Sequence, residues 1–212
     1  MSIRSKAKRD RKKALQPKKR EKNLGPQTAA ALMNGIKGLI KNLTTPTQIT
    51  PSISEFCKKL SPEEPIFLSC EPELWSRQSC CDLNVQEFIR LHGGSPVFGY
   101  RIWSAGTRYV EAERHAVWTD GSSIRDVSFV DTGESTTVFL PDEPSSGAGF
   151  DDGPQKVRCA FDSEDKKLVG ALNRFEPPIR RMEDAEAWAR MLTFEDWKKG
   201  RRMPNLLVDT IQ

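Results

Sequence analysis

Residues 81–130, CDLNVQEFIRLHGGSPVFGYRIWSAGTRYVEAERHAVWTDGSSIRDVSFV, carry the pattern that sets the fold. Within 82–91 the apolar side chains Val85, Phe88 and Ile89 recur at three- and four-residue steps between polar ones, the spacing of one helix face, and Gly93-Gly94 ends the run. This predicts a buried helix beginning near Ser79 to Cys81. Three strand-like runs follow, PVFGYRIW, RYVEAERHAVW and SIRDVSFV, joined by short turns. A helix followed by a meander makes the fold class α+β, with the helix packed on an antiparallel sheet.

The hairpin gives a geometry. Asp120-Gly121 reads as a two-residue turn, so opposed residues sum to 241 and His115 stands against Asp126. Directly opposed side chains on one face have Cβ atoms roughly 4.5–5.5 Å apart, which lets the carboxylate reach the ring. Alternation puts His115 and Val117 on one face with Ile124, Asp126 and Ser128, and sets Ala116 and Trp118 on the other with Arg125, Val127 and Phe129. Trp118 and Val127 suit a core. A carboxylate beside an imidazole fixes its tautomer and stabilises the imidazolium, which is the orienting role in a hydrolytic triad.

The third member of such a triad is a thiol. At a helix N-terminus the unpaired amides and the dipole lower a cysteine pKa from about 8.5, and a neighbouring imidazolium lowers it further. Cys80 and Cys81 both sit at the expected helix start; Cys81 begins the periodic segment and is assigned the nucleophile, with Cys80 a passive neighbour. The anion Asp82 beside the sulfur works against a low thiol pKa. Gln78 and the Cys81 amide are oxyanion candidates, and Asn84 is an accessory hydrogen-bonding residue. Plainer readings stand next to these. A buried cysteine is more often a small core residue than a nucleophile, and His92 at a helix end reads as a cap. Glu111 and Glu113 read as a solvated strand face, and Trp75, Trp103 and Trp188 as core or groove walls.

The order Cys at a helix start, His on a strand and Asp on the next strand resembles the papain-like superfamily, especially its transglutaminase-like and NlpC-type branches. His-Ala-Val-Trp (115–118), followed by Asp-Gly and then Asp126-Val127-Ser128, is similar to the transglutaminase-like His-Ala-Trp and Asp-x-Thr signatures. The combination of Cys-x-x-Asn-Val (Cys81 to Val85), Gly93-Gly94 and His-Ala-Val-Trp (His115 to Trp118) also resembles that of a group of small bacterial proteins. The resemblance covers residues 78 to 142, under a third of the chain. It implies a papain-like core with a Cys81 thiolate nucleophile, His115 as general base and Asp126 orienting it. The chain departs from the transglutaminase-like pattern in a shorter His-to-Asp interval, and in Asp82 where an aromatic residue follows the cysteine.

Outward from this stretch, the 212 residues suffice for one domain, and no run of apolar residues is long enough to span a membrane. The five cysteines, Cys57, Cys70, Cys80, Cys81 and Cys159, are unevenly spaced and read as reduced thiols of a soluble, cytoplasmic protein. With two histidines and no Cys-x-x-Cys, neither a metal nor another cofactor is expected. Residues 1–25 read as a disordered basic arm. Arg4, Lys6, Lys8, Arg9, Arg11, Lys12, Lys13, Lys18, Lys19, Arg20 and Lys22 stand against Asp10 and Glu21, a net of +9, so a chain of net +4 leaves −5 for residues 23–212.

Residues 26–60 form a helical extension. Leu32, Ile36, Leu39, Ile40 and Leu43 make a face from Thr28 to Leu43, and a short helix runs from Ser52 to Leu60, capped by Ser52 or Ser54. Residues 61–142 are the core, opening on a short strand IFLSC, and 143–156 a surface loop. Residues 157–212 complete the domain with a strand (KVRCAF) and a helix from Met182 to Lys199 whose Ala185, Trp188, Ala189 and Leu192 face inward.

Two functions are compatible with this reading. One is a cysteine hydrolase or acyltransferase acting on an amide, isopeptide or thioester bond of a peptide or small molecule. The other is a non-catalytic binding protein of the same fold whose basic arm contacts nucleic acid or another polyanion. A solubilising tail without a specific partner is the plain reading of the arm.

Overall fold

The computed structural model describes residues 26–142, 149–176 and 181–203. The basic residues of the arm, and the disorder expected of them, lie outside the described residues. The chain divides into two compact units, residues 1–31 and 32–212. Of the first, only the opening of helix α1 (Pro26–Lys41) is described.

The second unit is α+β. Its elements after α1 are α2 (Pro51–Cys57), β1 (Ile66–Ser69), α3 (Cys81–His92), β2 (Ser95–Ala105), β3 (Tyr109–Thr119), β4 (Ile124–Arg125) and β5 (Thr136–Pro141). A 3-10 turn (Phe150–Asp152), β6 (Lys156–Ala160), α4 (Ser163–Phe175), α5 (Asp184–Arg190) and α6 (Phe194–Lys198) complete it. The strands form one antiparallel sheet in the order β1-β5-β2-β3-β4, with β6 also paired to β3. The expected helix and the first two strands are in place. β2 and β3 are paired along eleven residues, from Ser95↔Thr119 to Ala105↔Tyr109.

The third expected strand is shorter than its apolar pattern suggests. Pairing with β3 stops at Arg125, and Asp126 leaves the ladder to make a parallel bridge with Cys70, where the Glu71 N–H donates to the Asp126 carbonyl at 2.8 Å. That bridge ties the end of β1 to the segment after β4, so the two margins of the sheet meet and one sheet face turns inward.

Helices cover the other face. Ile53, Phe56 and Cys57 of α2 pack on Tyr100, Ile102, Val110, Ala112, Val138 and Leu140, while Val85 and Phe88 of α3 pack on Ala116 and Val127. On the inward face Leu68, Val117 and Phe139 form one apolar group, and Leu39 of α1 joins Tyr109, Ala160 and Val169 in another. Gly99 makes the close approach of β5 possible. It pairs with both His115 and Pro141, and a Cβ there would collide with the Leu140 carbonyl oxygen.

Local chemistry corrects the expected boundaries in three places. Thr50, not Ser52 or Ser54, caps α2: Pro51 starts the helix, and the Thr50 hydroxyl accepts the Ile53 N–H at 3.3 Å. Helix α4 was absent from the sequence expectations; its cap is Asp162, whose carboxylate accepts the N–H groups of Glu164 and Asp165, each at 2.8 Å. The single helix expected from Met182 to Lys199 is two short ones, because Thr193 opens a new helix by accepting the Asp196 N–H at 2.9 Å. Ala187 and Leu192 are buried there, whereas Ala185 and Ala189 are exposed.

Candidate functional site

The hairpin turn differs from the two-residue reading, yet the contact inferred from it exists. Trp118 pairs with Arg125 and Thr119 with Ile124, so Asp120 to Ser123 form the loop. The Asp120 carboxylate accepts the N–H groups of Ser122 and Ser123 at 2.8 Å each; these amides hold its pKa down at about 2. The register is displaced by two residues, and an even displacement preserves the face. Asp126 therefore stays on the side of His115, whose Nε2 lies 2.9 Å from Asp126 Oδ2.

Both groups are buried, His115 at 4 % exposure and Asp126 at 0 %. Two further groups close on the same carboxylate oxygen. Arg101, on β2 and the same face, donates to it from Nη2, and the Cys70 thiol lies 3.8 Å away. The other oxygen, Oδ1, accepts the Ser128 N–H at 2.9 Å. Burial raises the Asp126 carboxyl, but His115 and Arg101 more than offset this and hold it well below the usual carboxylate range. Burial, and next the charge of Arg101, push the His115 imidazole below its ordinary value, more than Asp126 lifts it. A neutral ring facing a carboxylate donates through Nε2–H and keeps its lone pair on Nδ1.

Cys81 is the first residue of α3 and packs against the Val85, Phe88, Ala116 and Val127 cluster. Ala116 and His115 are successive residues of one strand and point to opposite faces, so the apolar cluster that Cys81 joins lies across β3 from the imidazole. Its thiol is pushed up to about 12, first by burial and then by Asp82, against the Ala116 amide and Arg101. The structure thus brings His115 and Asp126 together, and among the described residues no hydrogen bond joins Cys81 to the ring. The thiol beside the carboxylate is Cys70, raised to about 12 by burial and by Asp126. Cys80 caps α3 without a side-chain bond and is raised to about 11 by burial and Asp82.

The accessory residues have structural partners. Asn84 Oδ1 accepts the Arg77 N–H at 2.7 Å, and its Nδ2 donates to the Arg77 carbonyl at 2.9 Å and to Ser128 Oγ at 3.2 Å, clamping the loop before α3. The Gln78 N–H donates to the Leu192 carbonyl at 2.9 Å, while its Oε1 is buried without a partner among the described residues. Asp82 binds Arg181 at the edge of a cavity of about 290 Å³ that Phe98 and Phe150 also line. The His92 ring packs on Phe88 at 4.3 Å, and the N–H donated to the Ile89 carbonyl at the helix end is that of Gly93. Glu111 corrects the expectation of a solvated face: it is buried, held by Arg158 Nε at 2.7 Å and the Tyr109 hydroxyl at 2.5 Å.

Sequence reasoning missed Arg101 and Cys70. A single arginine inside the apolar run PVFGYRIW was the available signal for the first. Cys70 depends on the bridge to Asp126, which has no local signature. Among the described residues no group of three or more His, Cys, Asp or Glu is placed to hold a metal ion, and no helix is long and apolar enough to cross a membrane. No protein-family model matches the chain, nor does any curated protein or solved structure.

Proposed function

We propose that this chain is a non-catalytic binding protein: a folded α+β unit carrying an N-terminal arm that contacts nucleic acid or another polyanion. The observation that carries this reading is the sharing of Asp126 between His115 and Arg101. A fixed guanidinium already neutralises the carboxylate, as a buried structural ion cluster requires, and its charge opposes an imidazolium alongside. Charge segregation along the chain supplies the binding half of the reading, with +9 in residues 1–22 against −5 in the remainder. The test is binding of a labelled single-stranded RNA and a duplex DNA at rising salt. Affinity is expected to fall steeply with salt and to weaken further when Arg9, Arg11, Lys12 and Lys13 are changed to Gln, with a salt slope shallower by up to about one for each phosphate that a removed cation had neutralised. Binding that ignores salt, or that the substituted arm retains in full, overturns the proposal.

A second reading, a cysteine hydrolase or acyltransferase of papain-like descent, is favoured by the 2.9 Å contact of His115 with Asp126 and by the motif resemblance. In it Cys81 Sγ attacks a carbonyl carbon, His115 takes the thiol proton and returns it to the leaving group, and water or an amine resolves the acyl-enzyme. It requires Cys81 to come within reach of the imidazole. Iodoacetamide labelling of native Cys81 faster than in the unfolded chain supports this reading; slower labelling supports the binding protein.

A further inference from the structure

A row of charged residues away from Cys81 lines a second cavity. On the inward sheet face Glu111 of β3 pairs in register with Arg158 of β6, and Glu113 with Lys156. Above this row opens a cavity of about 310 Å³, a size that accommodates a small organic molecule. Ile40, Leu43, Val130 and Leu172 give it aliphatic walls, and Trp103 an aromatic one.

The basic groups of the cavity are already engaged. Arg158 is bound by Glu111 at 2.7 Å and by Glu176 at 2.6 Å, with its side chain 5 % exposed. The Lys156 ammonium lies 3.5 Å from Glu111 and 3.4 Å from Glu113. The solvent-facing groups of the lining are instead acidic: the side chains of Glu113 and Asp131 are 42 % and 48 % exposed, and the one cation beside Asp131 among the described residues, Arg202, is itself half-exposed with its Nε 3.7 Å away. Three acids (Glu111, Glu113, Asp131) against two bases (Lys156, Arg158) leave the lining at a net −1. Trp103 Nε1 donates to Glu113 Oε2 at 3.2 Å, which fixes one carboxylate beside the aromatic wall.

We propose that this cavity binds a small amphipathic cation, an aliphatic stem ending in an ammonium group. The stem lies along the aliphatic walls, and the head meets Glu113 and Asp131, where an anion of the same shape is repelled. The same chemistry is presented by a free diamine and by a lysine side chain on a peptide. The inference does not depend on what the basic arm contacts.

Calorimetric titration of the full chain with cadaverine, Nα-acetyl-lysine amide and hexanoate at one ionic strength tests it. At least one of the two amines is expected to bind saturably, hexanoate not; the tighter amine tells a free ligand from a peptide side chain. Glu113→Gln is expected to weaken that binding by about five-fold, the upper range for a half-exposed ion pair. Asp131→Asn at the open mouth should weaken it in the same direction, and Glu164→Gln on α4 should leave it unchanged. Absence of saturable binding by both amines, hexanoate binding as tightly as they do, or amine binding unaltered in both mouth variants would overturn the proposal.

Discussion

Arg101→Leu is the substitution that probes the inward-facing ion cluster most directly. Asp126 is wholly buried and Arg101 nearly so, so both charges have left water and depend on each other. Without the guanidinium, Asp126 keeps the His115 Nε2–H, the Ser128 N–H and the weak Cys70 thiol, 3.8 Å away, as donors. Removing one member of a buried pair costs about 3–5 kcal/mol, because an uncompensated charge stays behind. That is a large share of the roughly 5–15 kcal/mol by which a domain is stable. Asp126→Asn in the same chain removes the stranded charge and retains an acceptor, so the double variant should lose clearly less than the two single losses added together. Urea unfolding at pH 7.5, followed by tryptophan emission and extrapolated to water, measures all three. A loss below about 1 kcal/mol for Arg101→Leu, or additivity within about 0.5 kcal/mol, would refute the claim that these groups form one structural unit.

Two other outcomes follow from the same geometry. The His115 imidazole has a lower pKa folded than its unfolded value of about 6.5, so below that pH the unfolded chain binds the extra proton and stability falls as pH drops; Asp126, depressed in the folded chain, adds a further loss below about 4. Urea midpoints at pH 7.5, 6.5 and 5.5 should therefore decline more shallowly in His115→Gln than in the parent, and equal slopes would contradict the burial of a neutral ring. At α2, Thr50→Ala should cost about 1 kcal/mol while Ser52→Ala and Ser54→Ala stay within about 0.5 kcal/mol, measured by thermal or urea unfolding; a larger effect at Ser52 would restore the cap expected from sequence.

The elements legible in the sequence are those whose periodicity is local. Val85, Phe88 and Ile89 mark α3, and Gly93 ends it where the break was expected. The alternation in RYVEAERHAVW marks β3 across almost its full length. Turn chemistry was harder to read, because Asp-Gly also suits a longer loop in which the aspartate carboxylate caps two following amides. The His115–Asp126 contact survived that error for a reason internal to strands: side chains alternate with period two, so a slip of two residues leaves a face intact. Helix α4 was missed although Asp162 caps it and Leu168, Val169 and Leu172 recur at helical steps; these side chains pack on nearby Ala160 as well as on Leu39, Tyr109 and Ile36, far away in sequence.

By itself the sequence determined the α+β class, the helix that begins at Cys81, the long hairpin and the confinement of excess positive charge to the first 22 residues, since each depends on neighbours a few positions apart. Tertiary structure decided what the reactive side chains meet. Helix α3 packs on the Ala116 side of β3 while the imidazole of the adjacent residue points to the other side. The Cys70–Asp126 bridge then closes the inward face around Arg101, His115 and a second thiol. Residue spacing sets the side of a strand on which a group emerges, but the partner it finds there comes from chain far away in sequence, and that depends on how sheet and helices close together.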